Sequence, residues 1–336
     1  MHDLTQSDVS RQNILNNNYA LEQIETNLSL GGIYWNEELV FTKSQIAEIL
    51  EIDIRTVERY LENYNDELTK NGYRVLKGSE LKSFKDDVSD IDVGDISKTP
   101  SLGVFSFRTV LNIAMLITES NKAKMIRSKI LDIVIDVMAQ KSGGHTKYIN
   151  QRDEAYLPSA YKEYSYREEF TNALDDYLNA DKWKYGKYTN AIYQIIFLEN
   201  AAEYKQILNL SRKDKVRDTM YAEVLNAIAG FEHGLAVEMK QEFEKIGRKL
   251  TPKELDELIK RASINPYLEP HIHDARAKMA SRDLCFRDAL HQKLEQYIQS
   301  VPESDFDKFL GETSKSLEER LSDPETLAVL KRLKDR

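Results

Sequence analysis

The chain has 336 residues, which is enough for two domains or three. Hydrophobic residues make up 41% of it and charged residues 31%, so the composition predicts real cores and a well-solvated surface. The one cysteine, Cys285, excludes a disulfide within the chain and favours a reducing, cytoplasmic location. No run of about 18 apolar residues occurs, so no membrane span is expected. Because the net charge is -9, any contact with DNA has to use a local basic surface.

Glycine and proline are scarce, with 13 and 7 residues, which is typical of long regular elements and few elaborate loops. We therefore predict a mainly α protein with an N-terminal (winged) helix-turn-helix, a small α+β second unit and a large all-α C-terminal domain. The predicted boundaries are a polar leader at 1–30, the helix-turn-helix domain at 31–85, an acidic linker at 86–100, the second unit at 101–153 and the helical domain at 154–336.

The N-terminal elements are predicted from hydrophobic periodicity. The leader contains a helix at 19–27, and alternating apolar residues predict a short strand within 33–40. Two helices follow within 42–64. The dipeptide Asn71-Gly72 then predicts a turn into a strand at 73–76.

The elements after the linker are an extended segment and a series of helices. The segment 104–107 is predicted to be extended, and helical periodicity follows at 108–118 and 122–140. Almost everything beyond residue 156 has the pattern of helix. The predicted spans there are 158–177, 188–208, 216–230, 235–246, 252–262, 271–299 and 303–323.

Residues 41–61 carry the pattern of two short helices that cross at a tight turn. Thr42 or Ser44 can cap the first helix, and Asp53 can cap the second. Glu51 occupies a turn position where many such motifs have glycine, because a positive φ is favoured there. The predicted buried positions are Ile46, Ala47, Ile49, Leu50, Ile52, Val57, Tyr60 and Leu61.

The outer side of the second helix carries the residue types that read DNA. In a helix-turn-helix, the N-terminal half of this helix enters the major groove, where arginine suits guanine edges and threonine suits phosphate or a thymine methyl. The start of the first helix is suited to hold phosphate. The predicted contacts are Arg55, Thr56 and Arg59 on the second helix and Lys43, Ser44 and Gln45 on the first.

An ordinary helical hairpin within a core is the alternative interpretation of the same segment. Glutamates at 48, 58 and 62 favour that alternative, because they place negative charge beside the predicted recognition helix.

A locally basic stretch follows in the second unit. Its predicted phosphate contacts are Lys122, Lys124, Arg127 and Lys129, with a solvated helix face as the alternative.

The segment 105–136 runs from the aromatic entry Phe105-Ser-Phe107 through a helix and a Ser-Asn-Lys-Ala turn into a long helix. Over 33–153, this layout resembles the RhuM-like virulence-associated proteins and the N-terminal BRO domain of phage and viral DNA-binding proteins. The resemblance implies a bacterial or prophage-type DNA-binding protein.

Motifs for cofactor chemistry are absent from the sequence. Neither the phosphate-loop pattern nor the dinucleotide-binding glycine pattern occurs, and we predict no cofactor, metal site or catalytic residue. His271 and His273 are the closest histidine pair, but residues two apart do not share a helix face, so a helix start is favoured over a metal site. The charged run at 276–291 predicts packing between helices, with a nuclease-like or adapter surface as the alternative.

These patterns favour a DNA-binding regulator or mobile-element accessory factor with double-stranded DNA as its partner. Since one helix-turn-helix reads few base pairs, a homodimer is expected, with its interface in the C-terminal helical domain. One alternative is a toxin or nuclease-type enzyme, which would need acidic and histidine residues converging in a cleft of that domain. Another is a protein-interaction module, whose recognition helix would be surrounded by glutamate.

Overall fold

The structure is a computed structural model that describes residues 3–88, 99–144 and 146–328. It is mainly helical with a small four-stranded antiparallel sheet. The chain divides into two compact units, unit 1 (Met1–Gln140) and unit 2 (Lys141–Arg336). Among the described residues, no helix is both long and apolar enough to cross a membrane. Most of the predicted acidic linker, residues 89–98, lies outside the described residues.

Unit 1 begins with two helices, α1 (Asp8–Leu15) and α2 (Asn18–Leu28), where the sequence predicted a polar leader. That prediction is corrected, because Leu15 and Ile24 are fully buried and belong to the main hydrophobic core of the unit. The helix predicted at 19–27 is α2, whereas the polar residues between the apolar ones concealed the short amphipathic helix α1.

The sheet of unit 1 contains β1 (Ile33–Trp35), β2 (Glu38–Thr42), β3 (Arg74–Lys77) and β4 (Ser101–Ser106). Its strand order is β1-β2-β4-β3, with every neighbouring pair antiparallel. The last strand in the sequence therefore lies in the interior of the sheet, paired with β2 on one side and β3 on the other.

Both faces of this sheet are covered. Phe41 and Phe105, which are cross-strand partners, belong to the main core, whereas their neighbours Val40 and Val104 belong to a second, smaller core. Successive side chains of a strand point to opposite faces, so β2 and β4 contribute to both cores. The remaining helices of unit 1 are α3 (Lys43–Ile49), α4 (Ile54–Asn63), α5 (Asn65–Lys70), α6 (Gly78–Asp87), α7 (Phe107–Leu116) and α8 (Asn121–Ser142).

The division into units differs from the predicted boundaries. The sequence predicted a separate second unit at 101–153, but β4 pairs with β2 and β3, and α7 packs in the main core beside α3 and α4. Residues 101–140 therefore fold together with the predicted helix-turn-helix domain, and residues 141–153 fold with the helical region. Sequence periodicity shows that a strand exists but not which strands it pairs with.

Unit 2 is built from helices. They are α9 (Tyr156–Tyr177), α10 (Trp183–Phe197), α11 (Ala201–Ile207), α12 (Ala222–Ile246), α13 (Pro252–Ser263), α14 (Glu269–Phe286), α15 (Glu303–Leu310) and α16 (Leu317–Leu321), with short 3-10 segments at Ile149–Arg152, Val216–Thr219 and Gln292–Tyr297.

Several predicted helix spans in unit 2 need correction. The span 188–208 is two helices, because Leu198 adopts a left-handed conformation and Asn200 caps α11. The spans 216–230 and 235–246 instead share one helix, α12, which begins at Ala222 after the 3-10 segment Val216–Thr219 and continues through Gly230 and Gly234. A glycine within a helix costs only about 1 kcal/mol relative to alanine, and the buried apolar face of α12 outweighs that cost. The helices predicted at 271–299 and 303–323 end earlier than predicted, since α14 ends at Phe286 and α15 ends at Leu310.

The turn between α3 and α4 gives a testable stability prediction. Glu51 has a φ of +52°, a left-handed conformation that costs a residue with a Cβ about 1–2 kcal/mol. Glycine removes that cost but loses about 0.5–1 kcal/mol through the flexibility of the unfolded chain. Glu51→Gly is therefore expected to raise the free energy of unfolding by up to about 1 kcal/mol in urea titrations followed by circular dichroism.

Glu48→Gly is the matched control, because Glu48 is exposed within α3. Glycine there is expected to lower the free energy of unfolding by about 1 kcal/mol. If both variants are destabilised equally, the left-handed turn at Glu51 is refuted.

Candidate nucleic-acid interface

The α3–α4 pair is fixed by its caps and by its turn. Thr42, one of the two caps that the sequence allowed, caps α3, and Asp53 caps α4 as predicted. Ala47 is buried in α3, and its carbonyl accepts a hydrogen bond of 3.0 Å from the amide of Ile52 across the turn. The hydroxyl of Ser120, just before α8, donates to the carbonyl of Leu50. The turn is therefore anchored both within the pair and to the start of α8.

The outer side of α4 presents Arg55 to solvent. Val57 and Tyr60 are buried on the inner side, while Leu61 is half-buried against the main core. Arg55 is exposed, and its side chain has no hydrogen-bond or ion-pair partner among the described residues. Thr56 beside it is half-buried. The N-terminal turn of α4 thus offers a guanidinium that can contact another molecule.

Three of the other predicted DNA contacts are paired with glutamates. Lys43 forms an ion pair with Glu58, and Arg59 forms one with Glu119. A longer pair joins Lys122 to Glu51, with 4.0 Å between Nζ and Oε1. All six side chains are between 37% and 70% exposed, so the pairs lie at the surface and are open to solvent. Such pairs contribute little stability, typically about 0–1 kcal/mol, and can exchange partners.

Glu119, which lies outside α4, contacts two residues of that helix, and no sequence pattern predicts that role. Its Oε2 accepts a hydrogen bond of 2.8 Å from the hydroxyl of Tyr60, while its Oε1 contacts Arg59. Slight burial acts to raise the pKa of Glu119, but the hydrogen bond from Tyr60 and the charge of Arg59 hold that pKa below its usual value. Glu119 is therefore negatively charged, and its ion pair with Arg59 neutralises that predicted DNA contact.

The predicted phosphate-binding start of α3 is only partly available. The side chain of Gln45 accepts a hydrogen bond of 2.8 Å from the amide of Thr42, which completes a capping box. Gln45 is therefore used to begin the helix. Ser44 is exposed beside it.

The predicted contacts on α8 divide into two kinds. The guanidinium of Arg127 is half-buried and donates to the carbonyls of Ala114 and Ile117 at the end of α7, so it has a structural role. Lys124 and Lys129 are exposed, and neither side chain has a partner in the part of the chain that the structure describes. Of the cations predicted to contact DNA, Arg55, Lys124 and Lys129 are therefore the ones whose side chains are available to bind another molecule.

Three residues of the charged run of unit 2, Asp283, Arg287 and His291, form a buried network with Glu199, whereas Asp288 in the same run is exposed. Nδ1 of His291 lies 2.9 Å from Glu199, and its Nε2 lies 2.8 Å from Asp283. Arg287 forms a further ion pair of 2.7 Å with Asp283. All four side chains are at most 3% exposed. The interpretation as packing between helices is confirmed for this run, while Glu199 carried no signal in the sequence because it is an isolated acid after an apolar helix.

This network has the residue types of an enzyme site but not the access. Both ring nitrogens of His291 face carboxylates, so the ring is held as a doubly hydrogen-bonded cation. The enzyme alternative needs such a cluster in a cleft, whereas the side chains of this network are at most 3% exposed. No three histidine, cysteine, aspartate or glutamate side chains gather as metal ligands within the described ranges.

The histidine pair of α14 also lies outside any such cluster. His271 and His273 belong to the first turns of the helix, which begins at Glu269, and the ring of His273 packs on Tyr297 at 5.3 Å. A cleft of about 530 Å³ runs beside His273 and Lys278. Arg282, which also lines it, is 1% exposed and is paired with Glu223 and Asp305.

Comparison with known proteins adds no relative. No protein-family model matches the chain, and no curated protein or solved structure was found to match it. Its function is therefore inferred from its own residues.

The buried network predicts a pH dependence for the stability of the protein. Burial acts to lower the pKa of His291, but its two carboxylate partners raise that pKa to about 9, above the unfolded value near 6.5. The stabilisation is then complete below about pH 6.5 and is lost as the pH rises through about 9. Urea titrations between pH 6 and pH 10 are expected to show a fall in the free energy of unfolding that is absent in His291→Gln.

Glu199→Gln provides a second variant for the same measurement. Removing one carboxylate lowers the pKa of His291, so the fall in stability should move to lower pH. Identical pH profiles for the wild-type protein and both variants would contradict the role of His291.

Proposed function

We propose that this protein binds duplex DNA through a winged helix-turn-helix within 18–106, with α4 as the recognition helix. The order of elements supports the proposal. Helix α2 precedes the β1–β2 hairpin, and α3 and α4 follow. After the short helix α5, β3 and β4 form an antiparallel pair, with α6 between them in the sequence. The strands β2, β4 and β3 lie side by side in that order, which is the sheet arrangement of a winged helix.

The observation that carries the proposal is the exposed guanidinium of Arg55 on the first turn of α4. That position is the one from which recognition helices reach base edges, and arginine pairs with the O6 and N7 atoms of guanine. The left-handed conformation of Glu51 adds support, because the turn of this motif favours a positive φ. The resemblance of 33–153 to RhuM-like and BRO proteins indicates the same class of partner.

Phosphate contacts would come from cations beside α4. Lys124 is available at the start of α8, near the turn that Ser120 anchors. Lys43, Arg59 and Lys122 can contribute only if phosphate displaces their glutamate partners. Because the net charge is also -9 and few cations are free of glutamate partners, we expect binding that is modest in affinity and has a shallow salt dependence, with a slope of about 0.9 in log affinity per log salt for each phosphate contact.

A protein-interaction module is the second candidate, and the acidic partners favour it. Glu51, Glu58 and Glu119 all lie beside the predicted DNA contacts and neutralise them. In this function, the α3–α4 pair supports the fold of a protein-binding surface. A polyanion such as DNA then has no electrostatic advantage over a neutral ligand. Binding to duplex DNA at low salt separates the two candidates.

Arg55→Ala tests the recognition role of α4. Selection from a random duplex library would first define a preferred site, and fluorescence anisotropy at several salt concentrations would then measure affinity. We expect Arg55→Ala to cost about 1–3 kcal/mol on the preferred site and to relax the preference at one position. Glu62→Ala, also exposed on α4, is the control and should keep the preference. An unchanged preference in Arg55→Ala would remove α4 as the reading element.

Glu119→Gln tests whether Glu119 restrains Arg59. The amide cannot hold the guanidinium by charge, so Arg59 becomes available to phosphate, and nonspecific affinity for DNA should rise several-fold at low salt. Glu22→Gln makes the same change of charge on an exposed residue of α2 and should have a smaller effect. Equal effects would show that only net charge matters. Absence of DNA binding in the wild-type protein and in Glu119→Gln would favour the interaction module.

A further inference from the structure

Helix α8 exposes a seam on the side opposite to its own core. Ala123, Ile126, Ile130 and Val137 are buried on the inner side. On the outer side, Met125 is 66% exposed and Ile135 is 50% exposed, although both are large and apolar. Ser128 and Asp132 lie between them and are also exposed. We call Met125, Ser128, Asp132 and Ile135 the α8 seam.

The α8 seam has the spacing of a helix–helix contact. Its residues are separated by three, four and three positions, the interval at which one stripe of a helix faces a partner helix. The helix has 22 residues and is roughly 33 Å long, so it can hold the complete stripe. The two exposed apolar residues, Met125 and Ile135, stand at the ends of this stripe with the polar Ser128 and Asp132 between them, which is the pattern of a surface that a partner helix covers.

The pattern of the seam is complementary to itself when reversed. With two copies antiparallel about a two-fold axis between Ser128 and Asp132, Met125 lies opposite the partner's Ile135. Ser128 then lies opposite the partner's Asp132, whose carboxylate can accept a hydrogen bond from the serine hydroxyl. Each contact occurs twice, as an isologous interface requires. A parallel arrangement would instead place Asp132 against the partner's Asp132.

Charges along one flank of the seam fit the same arrangement. At 100° per residue, Lys122, Lys129 and Asp136 lie on one flank, and Lys124 lies on the other. An antiparallel two-fold brings like flanks together, so Lys129 lies beside both the partner's Asp132 and the partner's Lys129, and Asp136 lies beside the partner's Lys122. Lys129, Asp132 and Asp136 have no side-chain partner among the residues described here.

We propose that the α8 seam is a dimerisation surface that binds the same seam of a second copy of this chain, antiparallel to it. One helix pair of this length lies at the low end of specific interfaces, below about 1,200 Å² of buried surface. The dimer is therefore weak, with a dissociation constant in the micromolar range. This places the interface on α8 and not in the C-terminal helical region, and it does not rest on DNA binding.

A charge exchange tests the proposal in the absence of DNA. Sedimentation equilibrium of the full chain should show a monomer–dimer equilibrium. Lys129→Glu and Asp132→Lys should each weaken the dimer at least ten-fold, because each places like charges together twice. The double variant Lys129→Glu/Asp132→Lys should recover most of the affinity. Lys124→Glu, on the other flank of α8, is the control and should leave the dimer unchanged.

A cross-linking experiment checks the register. Mixed Ser128→Cys and Asp132→Cys chains should form a heterodimeric disulfide faster than either variant forms a homodimeric one, because the two positions face each other only across an antiparallel pair. Circular dichroism would confirm that each variant is folded. The proposal would be overturned by a wild-type chain that stays monomeric at a protein concentration 100-fold above the expected dissociation constant. A double variant that does not recover the dimer affinity of the wild-type chain would also overturn it. Neither result would affect DNA binding by α4, which is measured separately.

Discussion

The pairing of β4 with both β2 and β3 is the constraint on which the rest of unit 1 depends. Ser106 and Phe105 lie opposite Val40 and Phe41, and this register fixes where α7 begins. The chain then continues into Glu119 and Ser120, which contact α4 and the α3–α4 turn. Without β4 in the interior of the sheet, the start of α8 would not reach the candidate interface. The strand thus connects two segments that are far apart in the sequence.

That connection also determines the electrostatics of the candidate interface. The sequence shows cations on α4 but gives no sign that Glu119, 60 residues from Arg59, neutralises one of them. Lys43 and Glu58 meet for a more local reason, since the tight turn brings α3 and α4 together. An acidic protein can therefore carry a candidate DNA surface that is partly self-neutralised. Phosphate then competes with the protein's own carboxylates, which favours ligands that engage several cations at once.

What the sequence could predict was local. The caps Thr42 and Asp53 and the inner stripe of α4 follow from neighbouring residues. The position of β4 and the burial of α1 depend on partners that are distant in the chain, so the leader and the second unit were wrongly separated from the core. The predicted site residues show the same limit. The sequence marks Arg127 as a cation, but only the structure reveals that its guanidinium donates hydrogen bonds to carbonyls of α7.

The two units use the same residue types under opposite physical conditions. In unit 2, Arg287, Asp283 and His291 are buried, and breaking such a pair by removing one partner costs about 3–5 kcal/mol because a charge is left without compensation. In unit 1, Arg59 and Glu119 are about half exposed, and water compensates either partner when the pair opens. A buried charge network therefore fixes a fold, whereas exposed pairs can be exchanged for a ligand. Because the pairs around α4 are of the exposed kind, that surface can change partners without cost to the core beneath it.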